Sequence, residues 1–370
     1  MIAIPRLTGP ALDLSRLKTA VASPVVRAIG AAGLFVAAAL AVVLLMGPAG
    51  PPPVKLPLGG VMGSAPESWR MALKPQGRFR LAEGVVELSP GSQAADAGAA
   101  PHPPSQAAAA EGALPPAPIA GFYAPGPGGP LPIIAADGRT PFEAYARPFA
   151  GNGRPKVALV IGGLGLNTRT TQAAIETLPP QVTLSFVVYA EGLQGWIDMA
   201  RAKGHEVLLE TPMEPVDYPD NDPGPYALMS EAPGGETAKK LEWILSRASG
   251  YFGLTNYLGS RFLADDKAYE SFMGAMRGRG LGFIDDGLAG RKLGGGAPRA
   301  SAERVIDDEL TGQDIDQQLA RLEASALQRG QALGAGFAYP VTLNKVVRWA
   351  QGLEQRGYQL APASALATKR

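Results

Sequence analysis

Hydrophobic and polar positions alternate regularly from Arg154 to the C-terminal end of the chain. Short apolar runs predict strands at residues 156–161, 182–188, 206–209, 252–256, 281–284, 305–306 and 332–338. The amphipathic segments between them predict helices at residues 168–178, 192–203, 236–248, 267–279, 313–329 and 343–356. Strands that alternate with helices indicate an α/β domain with a parallel sheet, either doubly wound or a (β/α) barrel. About seven strands favour the barrel.

The N-terminal region contains one long apolar run. Residues 28–46 comprise 19 residues without a charged or strongly polar side chain, close to the ~20 needed to cross a bilayer. Four cations precede this run and the next follows only at Lys55, which predicts a cytoplasmic segment at residues 1–27 and a transmembrane anchor at residues 28–46. A cleaved signal peptide is the alternative, but its apolar region is usually shorter.

Residues 47–153 differ sharply in composition from the rest of the chain. They hold 20 of its 35 prolines, together with long Ala, Gly and Ser tracts. Apolar residues recur there without a period, which predicts a disordered, semi-extended linker. Residues 131–149 contain aromatic side chains and are the part of this linker expected to dock on the domain that follows.

Composition excludes several classes of function. The formal net charge of +1 gives no reason to expect nucleic acid as a partner. The absence of cysteine excludes disulfides, thiolate zinc sites and a cysteine nucleophile. His102 and His205 are the only histidines, and neither is placed for a catalytic triad or a zinc site. The glycines at 162, 163 and 165 lack the spacing of a nucleotide-binding loop.

The most informative stretch is HEVLLETPMEPVDYPDNDPGP, at residues 205–225. A buried strand there opens into a proline-spaced loop, with no Lys or Arg between Glu206 and Ala238. The carboxylates of the strand end and the loop are Glu210, Glu214, Asp217, Asp220 and Asp222. Because α/β enzymes place their chemistry where strands end in loops, this stretch predicts a site.

Other strand ends bring further polar side chains to the same edge of the predicted sheet. We predict Glu214, Asp285 and Asp286 as catalytic residues, and Glu210, Asn256 and Arg261 as substrate-binding residues. Carboxylates suit acid–base chemistry, including attack on a glycosidic bond. They also suit a hard divalent cation, so that ligand stays open although no cofactor and no metal-ligating residue is assigned. Capping of helix N-termini is the structural alternative for Asp285 and Asp286.

Four segments carry a family resemblance: VALVIGGLG, HEVLLETPMEPVDYPDNDPGP, GLTNYLGSRF and GLGFIDDG. In this order they resemble the divergent polysaccharide deacetylase family, a branch of the NodB-like β/α-barrel superfamily. The resemblance covers residues 154–366. It implies a NodB-like (β/α) barrel that acts on or binds an envelope polysaccharide or a peptidoglycan-type glycan. The predicted anchor lies outside the resemblance; together with this bacterial family, often secreted or membrane-anchored, it predicts a single-pass protein of the bacterial inner membrane whose C-terminal domain is periplasmic.

The chain departs from this family at the residues that hold a metal. In metal-dependent relatives the first strand ends in Asp-Asp, which supplies a base and a metal ligand, and histidines complete the site. Gly162-Gly163 stands at that position here, and Tyr257 stands where related sequences carry histidine. Two hypotheses follow: a hydrolase that works with carboxylates, and a non-catalytic protein that binds glycan or an envelope partner in the same cleft.

Overall fold

The computed structural model describes residues 112–126, 128–233, 235–290 and 292–369. The predicted cytoplasmic segment at residues 1–27 and the predicted anchor at residues 28–46 lie outside these ranges. Among the residues that are described, no helix is both long and apolar enough to span a membrane.

The predicted alternation of strands and helices from Lys156 onward agrees with the structure, with bounds that differ by a few residues. The strands are β1 (Tyr123–Pro125), β2 (Pro130–Pro132), β3 (Lys156–Leu164), β4 (Thr183–Val187), β5 (Val207–Met213), β6 (Gly253–Leu258), β7 (Gly282–Asp285), β8 (Pro298–Ser301), β9 (Arg304–Val305), β10 (Gln331–Phe337), β11 (Gln359–Leu360) and β12 (Thr368–Lys369). The α-helices are α1 (Pro141–Tyr145), α2 (Thr168–Thr177), α3 (Leu193–Ala202), α4 (Glu236–Leu245), α5 (Asp266–Gly278), α6 (Gly312–Arg329) and α7 (Pro340–Gln351).

The main sheet has the strand order β12-β8-β7-β6-β5-β4-β3-β10-β9, and β11 pairs with the start of β3. All of its pairings are parallel except that of β12 with β8. The segment at residues 298–306 reaches two separate strands: the nitrogen of Ala302 donates to Asp285 in β7, and that of Glu303 donates to Leu333 in β10. The sheet is therefore a curled half-barrel whose two sides are linked by this segment.

The two faces of the sheet bury separate apolar clusters, as period-two alternation requires. Val157, Leu159 and Ile161 of β3 pack in one cluster with side chains from α2 to α7. Ala158 and Val160, which alternate with them, pack in a second cluster that lies inside the curled sheet. The helices cover the outer face, so side chains at the C-terminal ends of the strands' inner face are left as the lining of a cleft.

Residues 112–153 correct the predicted linker. They carry β1, β2 and α1, and Phe122 and Tyr145 are buried in the inner cluster. The predicted docking of residues 131–149 is confirmed. The disorder predicted for residues 112–153 is wrong, because their aromatic side chains pack into the inner cluster and close the half-barrel at the end where the strands begin. The remainder of the predicted linker lies outside the described residues.

A buried arginine fixes this segment. Arg201 in α3 is 1% exposed, and its guanidinium donates hydrogen bonds to the carbonyl oxygens of Pro115, Tyr145 and Gly250 at 2.9–3.1 Å. Its guanidinium carbon lies 5.1 Å from the centre of the Tyr145 ring. These backbone carbonyls hold the N-terminal segment against the side of the domain from which β5 begins.

Candidate functional site

A cleft of about 360 Å³ opens at the C-terminal ends of the parallel strands. It continues the inner face of the sheet: Val160 in β3 belongs to the inner cluster, and Gly162, two residues further along, lines the cleft. In the same way Leu208 in β5 is followed by Glu210, and Leu333 in β10 by Ala335 and Phe337. The inner face of the sheet thus continues from the apolar core into the lining of the cleft, where Glu210 is a polar side chain.

Glu210 forms part of the floor of this cleft and is 4% exposed. Its Oε1 atom accepts hydrogen bonds from the backbone nitrogen of Gly163 at 2.6 Å and from the hydroxyl of Ser185 at 2.9 Å. Its Oε2 atom accepts no hydrogen bond from the described residues. Burial raises the pKa of Glu210 to about 7, against the lowering effect of these two donors. Near neutral pH this group can therefore either donate or accept a proton.

Asn256 and Asp286 meet at a neighbouring part of the cleft. The side chain of Asn256 in β6 is held by the carbonyl oxygen of Leu258, to which its Nδ2 donates at 2.8 Å. Its Oδ1 atom accepts from the backbone nitrogen of Asp286 at 3.1 Å. Burial raises the pKa of Asp286. Asn256 thus positions the loop after β7 and is a neighbour of the predicted catalytic residue Asp286.

Two further carboxylates and several apolar side chains complete the lining. Asp217 and Asn221 reach the cleft from the acidic loop after β5, and Asp308 reaches it from the segment after β9. Tyr257, Leu288 and Phe337 supply apolar surface and are 39–50% exposed. Among the described residues that line the cleft, none is Lys, Arg or His. The electrostatic character of the cleft is therefore acidic.

Glu214 and Arg261 do not line the cleft. The carboxylate of Glu214 accepts hydrogen bonds from the nitrogen and hydroxyl of Ser230, and it lies 3.5 Å from Nε of Arg261. Its backbone oxygen accepts from the nitrogens of Arg261 and Phe262. These contacts join the loop after β5 to the loop after β6, so this pair shapes the wall rather than presenting charge to a ligand.

Asp285 is also turned away from the cleft. Its side chain is fully buried and forms an ion pair with Arg299 at 2.7 Å. Oδ1 also accepts from the hydroxyl of Ser301 at 2.7 Å and from the nitrogens of Gly287 and Ala289. These bonds fix the turn after β7, and that turn places Asp286 in the cleft. Asp285 and Asp286 are adjacent in sequence and have different surroundings.

The lining residues that were not predicted as site residues include Ser185, Asp217, Asp308 and Phe337. Ser185 lies in the middle of an apolar run, and a polar residue there was the available signal. Asp217 and Asp308 were visible as carboxylates after strands, but the sequence does not tell which loop carboxylates turn inward. Phe337 reads as one more apolar residue of β10.

The match to a family model decides the family. The model for "divergent polysaccharide deacetylase" matches residues 159–367, more than half of the chain. The chain belongs to the divergent polysaccharide deacetylase family. The curled parallel sheet is consistent with the NodB-like fold that the sequence resemblance implied.

A curated protein and several solved structures are similar to the chain. A crystal structure of an uncharacterized protein from Agrobacterium tumefaciens C58 is 40% identical, with a TM-score of 0.62 over 64% of this chain and 99% of that one. An uncharacterized protein of Haemophilus influenzae is 25% identical over 195 residues, which are 51% of this chain and 68% of the relative. The catalytic domain of a peptidoglycan N-acetylglucosamine deacetylase from Eubacterium rectale ATCC 33656 is 12% identical, with a TM-score of 0.41 over 61% of this chain and 97% of that one.

The metal that the sequence resemblance implies does not fit the residues present. The described residues contain no group of three His, Cys, Asp or Glu side chains arranged to hold a metal ion. His205, the histidine that the structure describes, is fully buried, and its Nδ1 lies 2.8 Å from the carbonyl oxygen of Val182, away from the cleft. A Cβ atom on Gly162 would lie 2.8 Å from Oε1 of Glu210 and 2.7 Å from Oγ of Ser185. The space for a first-strand aspartate is thus filled by the side chains of other strands.

Proposed function

We propose that this family member is a membrane-anchored periplasmic protein that binds envelope carbohydrate in the cleft and lacks the metal-dependent deacetylation of its relatives. The observation that carries the proposal is the contact between Glu210 and the end of β3. Glu210 occupies the space beside Gly162, so the position of a first-strand aspartate, the metal ligand of metal-dependent relatives, is filled by another side chain and is not simply empty.

The lining of the cleft supports a carbohydrate ligand. Hydroxyl groups need a dense set of fixed acceptors and donors, and Glu210, Asn256 and Asp286 provide them at buried or half-buried positions. Tyr257 and Phe337 add aromatic surface at the same cleft, which suits the apolar faces of a sugar ring. The membrane anchor and the periplasmic location are inferred from residues 1–46 alone.

A second candidate function rests on one specific observation about Glu210. Its pKa of about 7 and its unpartnered Oε2 atom are what a general acid or base of a metal-independent hydrolase requires. Asp286 would be the second carboxylate because it lines the same cleft. In that mechanism Glu210 would transfer a proton at Oε2, while Gly163 and Ser185 hold Oε1 in place.

The two functions are separated by assays on the full chain in detergent micelles. N-acetylated and de-N-acetylated glycan oligomers and plain glucose oligomers would be supplied with and without added divalent metals, and acetate release, new reducing ends and binding would be measured. We expect saturable binding without acetate release or chain cleavage. Binding that Glu210→Gln weakens would support the first proposal. Turnover that Glu210→Gln abolishes would establish the second, and the absence of both binding and turnover would refute both.

The location is tested independently. Alkaline phosphatase fused after Arg370 is expected to be active in cells, since this reporter folds only outside the cytoplasm. Deletion of residues 1–46 should abolish that activity. Activity that persists after the deletion would contradict the proposed anchor.

A further inference from the structure

The charge of the cleft restricts the kind of carbohydrate that it would bind. Four carboxylates line it, those of Glu210, Asp217, Asp286 and Asp308, and none of the described lining residues carries a positive charge. Arg261, the cation that follows β6, is committed to Glu214 and Glu231 outside the cleft. A neutral N-acetylated sugar would leave this negative charge uncompensated, whereas a cationic ligand would neutralise it.

Glu210 is the buried member of these four carboxylates. Its side chain is more than nine-tenths buried and lines the cleft, and its Oε2 atom has no partner among the described residues. Oε2 is therefore the oxygen of this carboxylate that stays free to accept a hydrogen bond from a ligand in the cleft. An ammonium group, which carries only donors, would satisfy it.

The spacing of the carboxylates favours an organic cation over a metal ion. The described residues contain no set of three carboxylates that converge on one point. Glu210 and Asp217 come from β5 and the loop after it, and Asp286 and Asp308 come from the segments after β7 and β9. The aromatic rings of Tyr257 and Phe337 line the same space. Carboxylates together with aromatic faces form the usual environment for an ammonium group, which gains from both hydrogen bonds and the ring quadrupole.

We infer that the cleft selects the free-amine, de-N-acetylated form of an amino-sugar glycan. The inference rests on the proposed binding of carbohydrate and specifies its chemical class. The protein would then recognise the product of a deacetylation reaction, because removing the acetyl group converts a neutral amide into the ammonium that the cleft complements. An enzyme of the deacetylating class would have to supply this ligand.

The test compares three sugars of equal length that differ at the 2-position. Full-length protein in detergent micelles would be titrated by calorimetry with the β-1,4-linked trimers of glucosamine, N-acetylglucosamine and glucose. We expect the glucosamine trimer to bind at least tenfold more tightly than the other two, and the preference to shrink at high salt. Binding of the N-acetylated trimer with equal or greater affinity would overturn the inference while leaving the proposed function intact. Absence of binding by all three trimers would instead count against the proposed function.

The acidic loop offers a matched pair of variants. Asp217 lines the cleft, whereas Asp220 is an exposed residue of the same loop outside it. Asp217→Asn and Glu210→Gln are each expected to weaken binding of the glucosamine trimer at least fivefold, and Asp220→Asn is expected to leave it unchanged. If Asp217→Asn and Asp220→Asn weaken binding equally, the affinity depends on the overall charge of the loop and not on the cleft, which would overturn the inference.

A trilysine peptide tests the source of the amine. The peptide is expected to bind at least tenfold more weakly than the glucosamine trimer because it lacks sugar rings for Tyr257 and Phe337. Equal or tighter binding of the peptide would overturn the assignment to a glycan.

Discussion

The Oε1 atom of Glu210 lies 2.6 Å from the backbone nitrogen of Gly163 and accepts its hydrogen bond. These residues belong to β5 and β3, which are separated by β4 in the sheet. The same Oε1 atom also accepts a hydrogen bond from the hydroxyl of Ser185 in β4, the strand between them. The end of β3 is therefore held in place by a side chain from β5, two strands away in the sheet.

The first prediction concerns packing at Gly162. Gly162→Ala would place a methyl group 2.7–2.8 Å from Ser185 and Glu210, so we expect a loss of roughly 1–3 kcal/mol in the free energy of unfolding. Urea denaturation followed by tryptophan fluorescence measures it. Gly195→Ala is the control, because Gly195 lies in α3 with open space around it and should be neutral or slightly stabilising. Combining Gly162→Ala with Glu210→Ala should cost less than the sum of the single changes, and strict additivity would contradict the contact.

The second prediction concerns pH. The pKa of Glu210 rises from its model-peptide value of 4.5 to about 7 on folding, so the folded state binds this proton more tightly than the unfolded state. The stability that Glu210 contributes is therefore complete below pH 4.5, falls as the pH rises, and levels off above pH 7. Between pH 5 and pH 8 the wild-type protein should lose roughly 2–3 kcal/mol more than Glu210→Gln does. Urea denaturation of the wild-type protein and of Glu210→Gln at both pH values checks this. If the free energy of unfolding depends on pH identically in the two proteins, the raised pKa of Glu210 is wrong.

The third prediction separates two adjacent aspartates. Asp285→Ala would leave the buried guanidinium of Arg299 without its carboxylate, which should cost about 3–5 kcal/mol in the free energy of unfolding. Asp286→Asn should change stability by less than about 1 kcal/mol, because Asp286 is only partly buried and Asn keeps its shape. Thermal unfolding distinguishes the two. If both variants unfold at the same temperature, the structural role of Asp285 is wrong.

The fourth prediction concerns an aromatic side chain of the cleft. Tyr257→Ala should weaken binding of the glucosamine trimer by about 1 kcal/mol, close to fivefold, because the ring face would be lost. Tyr123→Ala is a matched control, since both tyrosines are 40% exposed and Tyr123 lies in β1 outside the cleft. Calorimetric titration of both variants gives the comparison. A similar loss in the two would argue against stacking on Tyr257.

The sequence was most informative about the fold where apolar periodicity repeats. The strands and helices from β3 to α7 were predicted because each buries a regular stripe or run of residues. The segment that carries β8 was missed, since only two of its four residues, Pro298 and Ala300, are apolar, and its role is to link β7 with β10. Residues 112–153 were assigned to the linker because their prolines and glycines hide the few aromatic residues that pack.

The candidate site was predictable as a place and less so as a set of side chains. The acidic loop and the strand ends do surround the cleft, and Glu210, Asn256 and Asp286 line it. Glu214, Arg261 and Asp285 point elsewhere because each meets a charged or polar partner from another loop, and such pairings are not visible in the sequence. Glu210 was predicted because it ends the apolar run of its strand and begins the acidic loop.

The contacts of Arg201 and the cleft lie at opposite ends of the parallel strands. Leu114 is hydrogen-bonded to the backbone oxygen of Arg201, on the side where the parallel strands begin, while the cleft opens where they end. The nine residues of β3 separate these two sides by roughly 30 Å. Leu114 therefore lies at the closed base of the half-barrel, and the cleft opens on the opposite side of the domain. A ligand in the cleft would be bound at the opposite end of the domain from the contacts of Arg201.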